Sequence, residues 1–336
     1  MDYFNLLPNE LIPTILIRLN DIKFIKNFVD AYSEYDDKFN WNIIVKPYIE
    51  NSVVSELTII YPNKKIFNFS TLYMGLELEL LRYIFMEDIS ELFFASKLEI
   101  DNTKINPSEL QGLRYLYRLK KLFIIQSSLM EIPSSIFYLS NLENLSLIEN
   151  NIKDIPPQIK KLNDLLLLNL SRNLLENLPE FIGELSNLTE LELNHNKIKF
   201  LPNSIGRLSK LVNLRLSCNR LTEIPKIIGN LINLQILDLS DNKLTYLPET
   251  LGNLTKLVNL HLYYNRLTEI PKIIGNLINL QTLDLSHNKL TYLPETLGNL
   301  TKLEHLYLQD NMLEKVQKRL ECLINLRVLG ICYIYK

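Results

Sequence analysis

From Leu119 onward the apolar residues fall into a frame that restarts every 23 residues, at Leu142, Leu165, Leu188, Leu211, Leu234, Leu257, Leu280, Leu303 and Leu326, with no insertion. Taking the first leucine as position 1, the unit from Leu234 reads LQILDLSDNKLTYLPETLGNLTK and generalises to LxxLxLxxNxLxxLPxxIGxLxx. Apolar positions 4 and 6 alternate with polar neighbours, the period of a strand with one buried face. Leu237 and Leu239 are therefore predicted to point inward, Asp238 and Ser240 outward. Leu244, Leu247, Leu251 and Leu254 then sit three or four apart around Pro248. That spacing predicts a loosely helical or extended return path with an apolar inner side.

One unit of this size cannot close its own core. Stacked units bury each other's leucines, the strands join into a continuous parallel sheet, and each unit interacts with its nearest neighbours. The frame resembles the leucine-rich-repeat family in its 23-residue class. The resemblance implies an α/β fold, a leucine-rich-repeat solenoid shaped as a curved horseshoe with the parallel sheet on its concave face. Position 9 is Asn in eight consecutive units (Asn150, Asn173, Asn196, Asn219, Asn242, Asn265, Asn288 and Asn311) and Ser127 in the first. An amide carries both donors and an acceptor. Recurring just past the strand, it is expected to satisfy backbone groups that lose ladder partners at the turn, so the asparagine row is read as structural.

The frame divides the chain into residues 1–94, a small helical N-terminal region, and residues 95–336, the solenoid. The latter comprises a degenerate unit (95–118), nine 23-residue units (119–325) and a truncated unit (326–336). Apolar residues at helical spacing run from Asn9 to Tyr48, among them Leu11, Ile15, Leu16, Leu19, Ile22, Ile25 and Phe28. Such a helix could cap the first strand of the array and bind nothing. The opening LLPNELIPTILIRL also resembles an F-box, the helical module that docks the Skp-type adaptor of cullin-based ubiquitin ligases, on Leu7, Pro8, Glu10, Leu11, Ile15 and Leu16. That resemblance implies adaptor binding at those residues; Pro13 and the late Trp41 depart from the family's pattern.

Charge narrows the function. Lys+Arg 36 against Asp+Glu 38 gives a net charge of -2, no field to hold nucleic acid or anionic lipid, and the apolar runs are too short to span a membrane. Three cysteines, Cys218, Cys322 and Cys332, are too few for a disulfide framework, which predicts an intracellular, cytoplasmic setting. No catalytic constellation emerges: there is no GxxxxGK[ST], GxGxxG, HExxH or CxxC, and the glycines from Gly183 to Gly298 all occupy position 19 of the frame. Asp238, His261 and Asp284 line up at position 5 as an acid/base triplet, but nothing in the sequence would keep water from it. No enzyme activity, cofactor or metal ion is expected.

Outward strand positions carry no packing duty, so function is sought there. The candidates at or beside the exposed face are Glu192, His195, Arg215, Asp238, His261, Tyr263, Tyr264, Asp284, His287 and Tyr307. Tyr and Arg favour interface anchoring, which points to a protein partner. Position 10 is basic in five units (Lys197, Arg220, Lys243, Arg266 and Lys289) and reads as a solvated rim. Residues Leu221 to Leu262 repeat as Leu267 to Leu308 with five differences: Ile236/Thr282, Asp241/His287, Val258/Glu304, Asn259/His305 and His261/Tyr307. Most of that variation falls at outward or rim positions.

Overall fold

The computed structural model describes residues 44–47 and 57–60, and residues 95–331 apart from 103, 106, 314–319 and 321. The chain divides into two compact units, Met1–Phe93 with Ser108–Leu116, and Phe94–Pro107 with Tyr117–Lys336. In the first, β1 (Ile44–Pro47) pairs antiparallel with β2 (Leu57–Ile60), Val45 facing Ile59. The helical spacing read over Asn9 to Tyr48 does not hold at Ile44–Pro47, where β-branched Ile44 and Val45 favour the extended form. Residues 1–43 lie outside the described residues, and with them Leu7, Pro8, Glu10, Leu11, Ile15 and Leu16.

The second unit is one sheet of eleven parallel strands in strict sequence order. They are β3 (Lys97–Asp101), β4 (Lys121–Ile125), β5 (Asn144–Ser146), β6 (Leu167–Asn169), β7 (Glu190–Glu192), β8 (Asn213–Arg215), β9 (Ile236–Asp238), β10 (Asn259–His261), β11 (Thr282–Asp284), β12 (His305–Tyr307) and β13 (Val328–Gly330). Each pairs with the next in the register set by the repeat, so Leu237, Leu260, Leu283 and Leu306 stand side by side at position 4. The step from β3 to β4 is 24 residues, Leu98 facing Leu122. Positions 1, 4, 6, 11, 18 and 21 supply the core: Leu234, Leu237, Leu239, Leu244, Leu251 and Leu254 are essentially unexposed.

The return path is 3-10 rather than α-helical. In the unit from Leu211, Ile228 N–H donates to the Pro225 carbonyl (3.0 Å) and Leu231 N–H to that of Ile228 (3.1 Å), bonds of i to i−3. Pro225 precedes the turn with φ -65 and ψ 144, extended backbone that a proline ring sets in advance. Parallel strands lie about 4.8 Å apart, whereas the bulkier return segments need more room per unit, so the sheet takes the inner, concave side.

Each position-9 asparagine ties two units together. The Asn242 Nδ2 amide donates to the carbonyls of Leu216 (3.0 Å), Leu239 (3.1 Å) and Ser240 (3.1 Å), and its Oδ1 accepts the Leu221 N–H (2.9 Å). The same pattern runs from Asn150 to Asn311. Serine at position 7 departs from the alternation read in the sequence: Ser240 is 0% exposed, and Ser171 and Ser286 are buried too. A serine is too short to clear taller neighbours in the same row. Ser240 and Ser286 flank Tyr263, and Ser171 stands between Ile148 and Asn194.

Candidate functional site

The outward face is built from positions 3, 5, 7 and 8. At position 8 the backbone turns with φ between 49° and 56° in every unit from Gln126 to Asp310, and none of these residues is glycine. This left-handed conformation costs roughly 1 kcal/mol for an ordinary residue, and it sets nine unrelated side chains in one row with a common backbone geometry. The composition of position 8 (Gln, Glu, Arg, His, Cys, Asp, Tyr, His, Asp) gives no sign of the requirement.

Two of the candidate carboxylates also serve the backbone. Asp238 Oδ1 accepts the Ser240 N–H (3.0 Å), and Asp284 Oδ1 accepts both the N–H (3.0 Å) and the hydroxyl (2.6 Å) of Ser286. Asn169 does the same for Ser171 (2.9 Å). The strand ends at position 5, so the N–H of position 7 has no ladder partner, and an Asx side chain two residues back is the local acceptor. Asx-Leu-Ser at 169–171, 238–240 and 284–286 is the sequence signal for it.

The structure brings Tyr263, Tyr264 and His287 together. Tyr263 and Tyr264 meet edge to face (centroids 5.6 Å apart), and Tyr264 stacks flat on His287 at 4.1 Å. His287 Nδ1 lies 3.1 Å from Asp310 Oδ2. Asp238, His261 and Asp284 are neighbours in the ladder register. Towards β5 the charges are matched: Arg172 Nε lies 3.5 Å from Glu149 Oε1, Arg215 Nε 3.7 Å from Glu192 Oε1, and Asn169 Nδ2 donates to Glu192 Oε2. Glu192, His195 and Arg215 thus belong to a different part of the face from the aromatic cluster, while Tyr307 stands on β12 beyond Asp284.

Cys218, Asp241 and Asp310 were not among the sequence candidates, although position 8 places all three in the row of Tyr264. Burial pushes the Cys218 thiol up to about 11, helped by its hydrogen bond to the Asp241 carboxylate and by Asp238. Burial is also the main reason the Tyr263 hydroxyl is held above its usual range, with Cys218, Asp238, Asp241 and Asp284 adding to it. A thiol near 11 carries roughly a hundredth or less of the thiolate of an unperturbed cysteine at pH 8. Alkylation with iodoacetamide at pH 8, followed by peptide mass mapping, is expected to leave Cys218 largely unmodified while exposed Cys322 reacts. Equal labelling of the two would contradict this environment. Among the described residues no group of three or more His, Cys, Asp or Glu could hold a metal ion, and no helix is long and apolar enough to cross a membrane.

Three family models match the chain: "Leucine rich repeat" at residues 255–313, "Leucine-rich repeat region" at 203–267 and "Leucine Rich Repeat" at 187–208. No curated protein matches it. Among solved structures, a leucine-rich-repeat protein of Leptospira interrogans is similar at 29% identity and a TM-score of 0.65, over 73% of this chain and 74% of that one. The leucine-rich-repeat ectodomain of a plant membrane receptor kinase from Arabidopsis thaliana, solved with a Casparian strip integrity factor, is similar at 30% identity and a TM-score of 0.61, over 70% of this chain and 33% of its own length. The functional domain of InlJ from Listeria monocytogenes shares the fold at 24% identity and a TM-score of 0.61, over 71% of this chain and 54% of that one.

Proposed function

The chain is a leucine-rich-repeat protein, and from that premise we propose that it is a non-catalytic recognition module that takes a protein partner on the outward face of its parallel sheet, around Tyr263 and Tyr264. One observation carries the reading. In the near-duplicate Leu221–Leu262 and Leu267–Leu308, all five differences stand at positions 2, 3, 5 and 8, in or beside β9 to β12, while every core and return-path residue is the same. A framework held constant with a changed face is what selection on binding would leave; drift would scatter changes over the exposed return path as well. Solenoids present such faces as extended binding surfaces, and aromatic anchors contribute much of the energy at protein interfaces.

The free thiols Cys218 and Cys322 fit a reducing compartment, so we place the protein inside the cell. Adaptor docking through Leu7, Pro8, Glu10, Leu11, Ile15 and Leu16 rests on residues outside the described structure, and no observation favours it.

Affinity purification from the protein's own cells tests the reading. Replacing Tyr263 and Tyr264 together by Ala is expected to lower recovery of the specific partner at least about tenfold, since two interface aromatics together are commonly worth more than 1.4 kcal/mol, with an almost unchanged melting curve. Undiminished recovery would move the site elsewhere.

A further inference from the structure

Charge is unevenly spread along the outward face. At positions 3, 5, 7 and 8 of the four units from Leu234 to Asn325 there is no Lys or Arg, but Asp238, Asp241, Asp284 and Asp310 are all present. Among the described residues none of these four carboxylates makes an ion pair with Lys or Arg; Asp310 meets only His287. Arg215, the neighbour of Asp238 in register, lies instead beside Glu192. Upstream, Arg172 and Arg215 each have an acid of their own. The downstream half therefore faces solvent as carboxylates around an aromatic cluster, and the upstream half as paired charges.

Beside Tyr263 in the position-7 row stands a hydroxyl without a partner among the described residues, as at Ser171 upstream. Ser240 is 0% exposed, and its hydroxyl oxygen has no hydrogen-bond partner among the described residues, although the Asp238 carboxylate takes the N–H of the same residue. The exposed basic residues of position 10, Lys243, Arg266 and Lys289, stand past the asparagine row at the rim. They repel a cationic segment from that side and leave the line over positions 3 to 8 as its favourable course.

Accepting that the sheet face is the binding face, we infer that its downstream half takes an extended, arginine-bearing segment of the partner, with guanidinium groups over Tyr263, Tyr264 and His287 and between the four aspartates. A guanidinium is planar and weakly hydrated, so it can stack on an aromatic face while donating to carboxylates at its edge. Parallel strands about 4.8 Å apart put Asp238 and Asp284, two units apart, at roughly 10 Å, close to the about 9 Å rise of three residues in an extended polyproline II segment, whose threefold turn returns side chains three apart to one face. Arginines three apart in the partner segment match that interval.

The test uses the full chain and three fluorescent nine-residue peptides, with Arg, Lys or Glu at every third position and Gly and Ser elsewhere, read by fluorescence anisotropy at low and at 0.5 M salt. The arginine peptide is expected to bind best, the lysine peptide several-fold weaker and the glutamate peptide not at all, with loss of binding at high salt. Replacing Asp238, Asp241, Asp284 and Asp310 by Asn keeps an acceptor for Ser240 and Ser286 and is expected to weaken the arginine peptide more than tenfold. Asp241→Asn with Asp310→Asn, two changes that touch none of those backbone bonds, is expected to weaken it several-fold should the fourfold variant not fold. Glu149→Gln with Glu192→Gln is expected to change it less than twofold. Binding that follows Glu149 and Glu192, preference for the glutamate peptide, or no binding of the arginine peptide each overturns the inference. In each of those cases undiminished recovery of the natural partner by the Tyr263→Ala, Tyr264→Ala variant would separately overturn the face itself, and diminished recovery would leave the face standing with a partner of different chemistry.

Discussion

Replacing Asn242 by alanine is expected to lower the free energy of unfolding by about 3–4 kcal/mol, although position 9 lies outside the face proposed to bind. The size follows from what the side chain holds. Its Oδ1 accepts the Leu221 N–H in the buried seam between two units, and an orphaned buried donor costs about 1–3 kcal/mol. Its Nδ2 donates to the carbonyls of Leu216, Leu239 and Ser240. Each of those oxygens keeps another donor: Asn219 for Leu216, Asn265 for Leu239 and the Cys218 N–H for Ser240. The acceptors are therefore weakened rather than abandoned, and together they add about 0.5–1.5 kcal/mol to the cost, the usual range for a net hydrogen bond. Urea unfolding followed by circular dichroism measures it, with Asn276→Ala as the exposed comparison, expected within about 0.5 kcal/mol of the parent. A cost at Asn242 no larger than at Asn276 would mean that the row is decorative.

Gly229→Ala is expected to cost about 3 kcal/mol and Gly252→Ala about 1, although both occupy position 19 of the same repeat. A Cβ on Gly229 would stand 2.5 Å from the Thr250 carbonyl oxygen and 2.8 Å from its Cβ, the backbone and root of the next return segment. Relief requires that segment, and the units stacked on it, to move, which puts the cost at the upper end of the usual 1–3 kcal/mol for overpacking. At Gly252 the closest atom is the Ile273 Cγ1, which a rotamer change can withdraw, although the Ile273 carbonyl oxygen at 2.9 Å still requires a small shift. Thermal unfolding of the two variants decides it. Equal losses would show that the return layer yields as a whole and that side-chain and backbone clashes are not distinguished there.

These two residues also mark where sequence reading stopped. The glycine frame is visible as a 23-residue period, but the alternation of its neighbours between Thr250 or Thr296 and Ile227 or Ile273 becomes an energetic difference only when the next unit is laid against it. The asparagine period is likewise plain in the chain. Which carbonyls each amide meets, and that the position-6 leucine carbonyl is shared by two successive asparagines, depends on how far the turn carries the side chain into the seam. Alternation along the strands marks Tyr263, Tyr264 and His287 only as separate exposed residues. Their contact at 4.1 and 5.6 Å depends on the left-handed turn at position 8, for which nothing in the residue types gives a signal.

By itself the sequence determined the period, the identity of the buried leucines and the parallel order of β3 to β13, because burying an apolar residue every 23 positions admits one economical arrangement, in which like stacks on like. Only the tertiary structure decided that Ser240 is covered, that Tyr264 stacks on His287, and that unpaired carboxylates gather in one half of the face. Those outcomes arise from contacts between residues 23 or more apart, where a side chain's environment is set by the neighbouring unit and a local pattern carries no record of it.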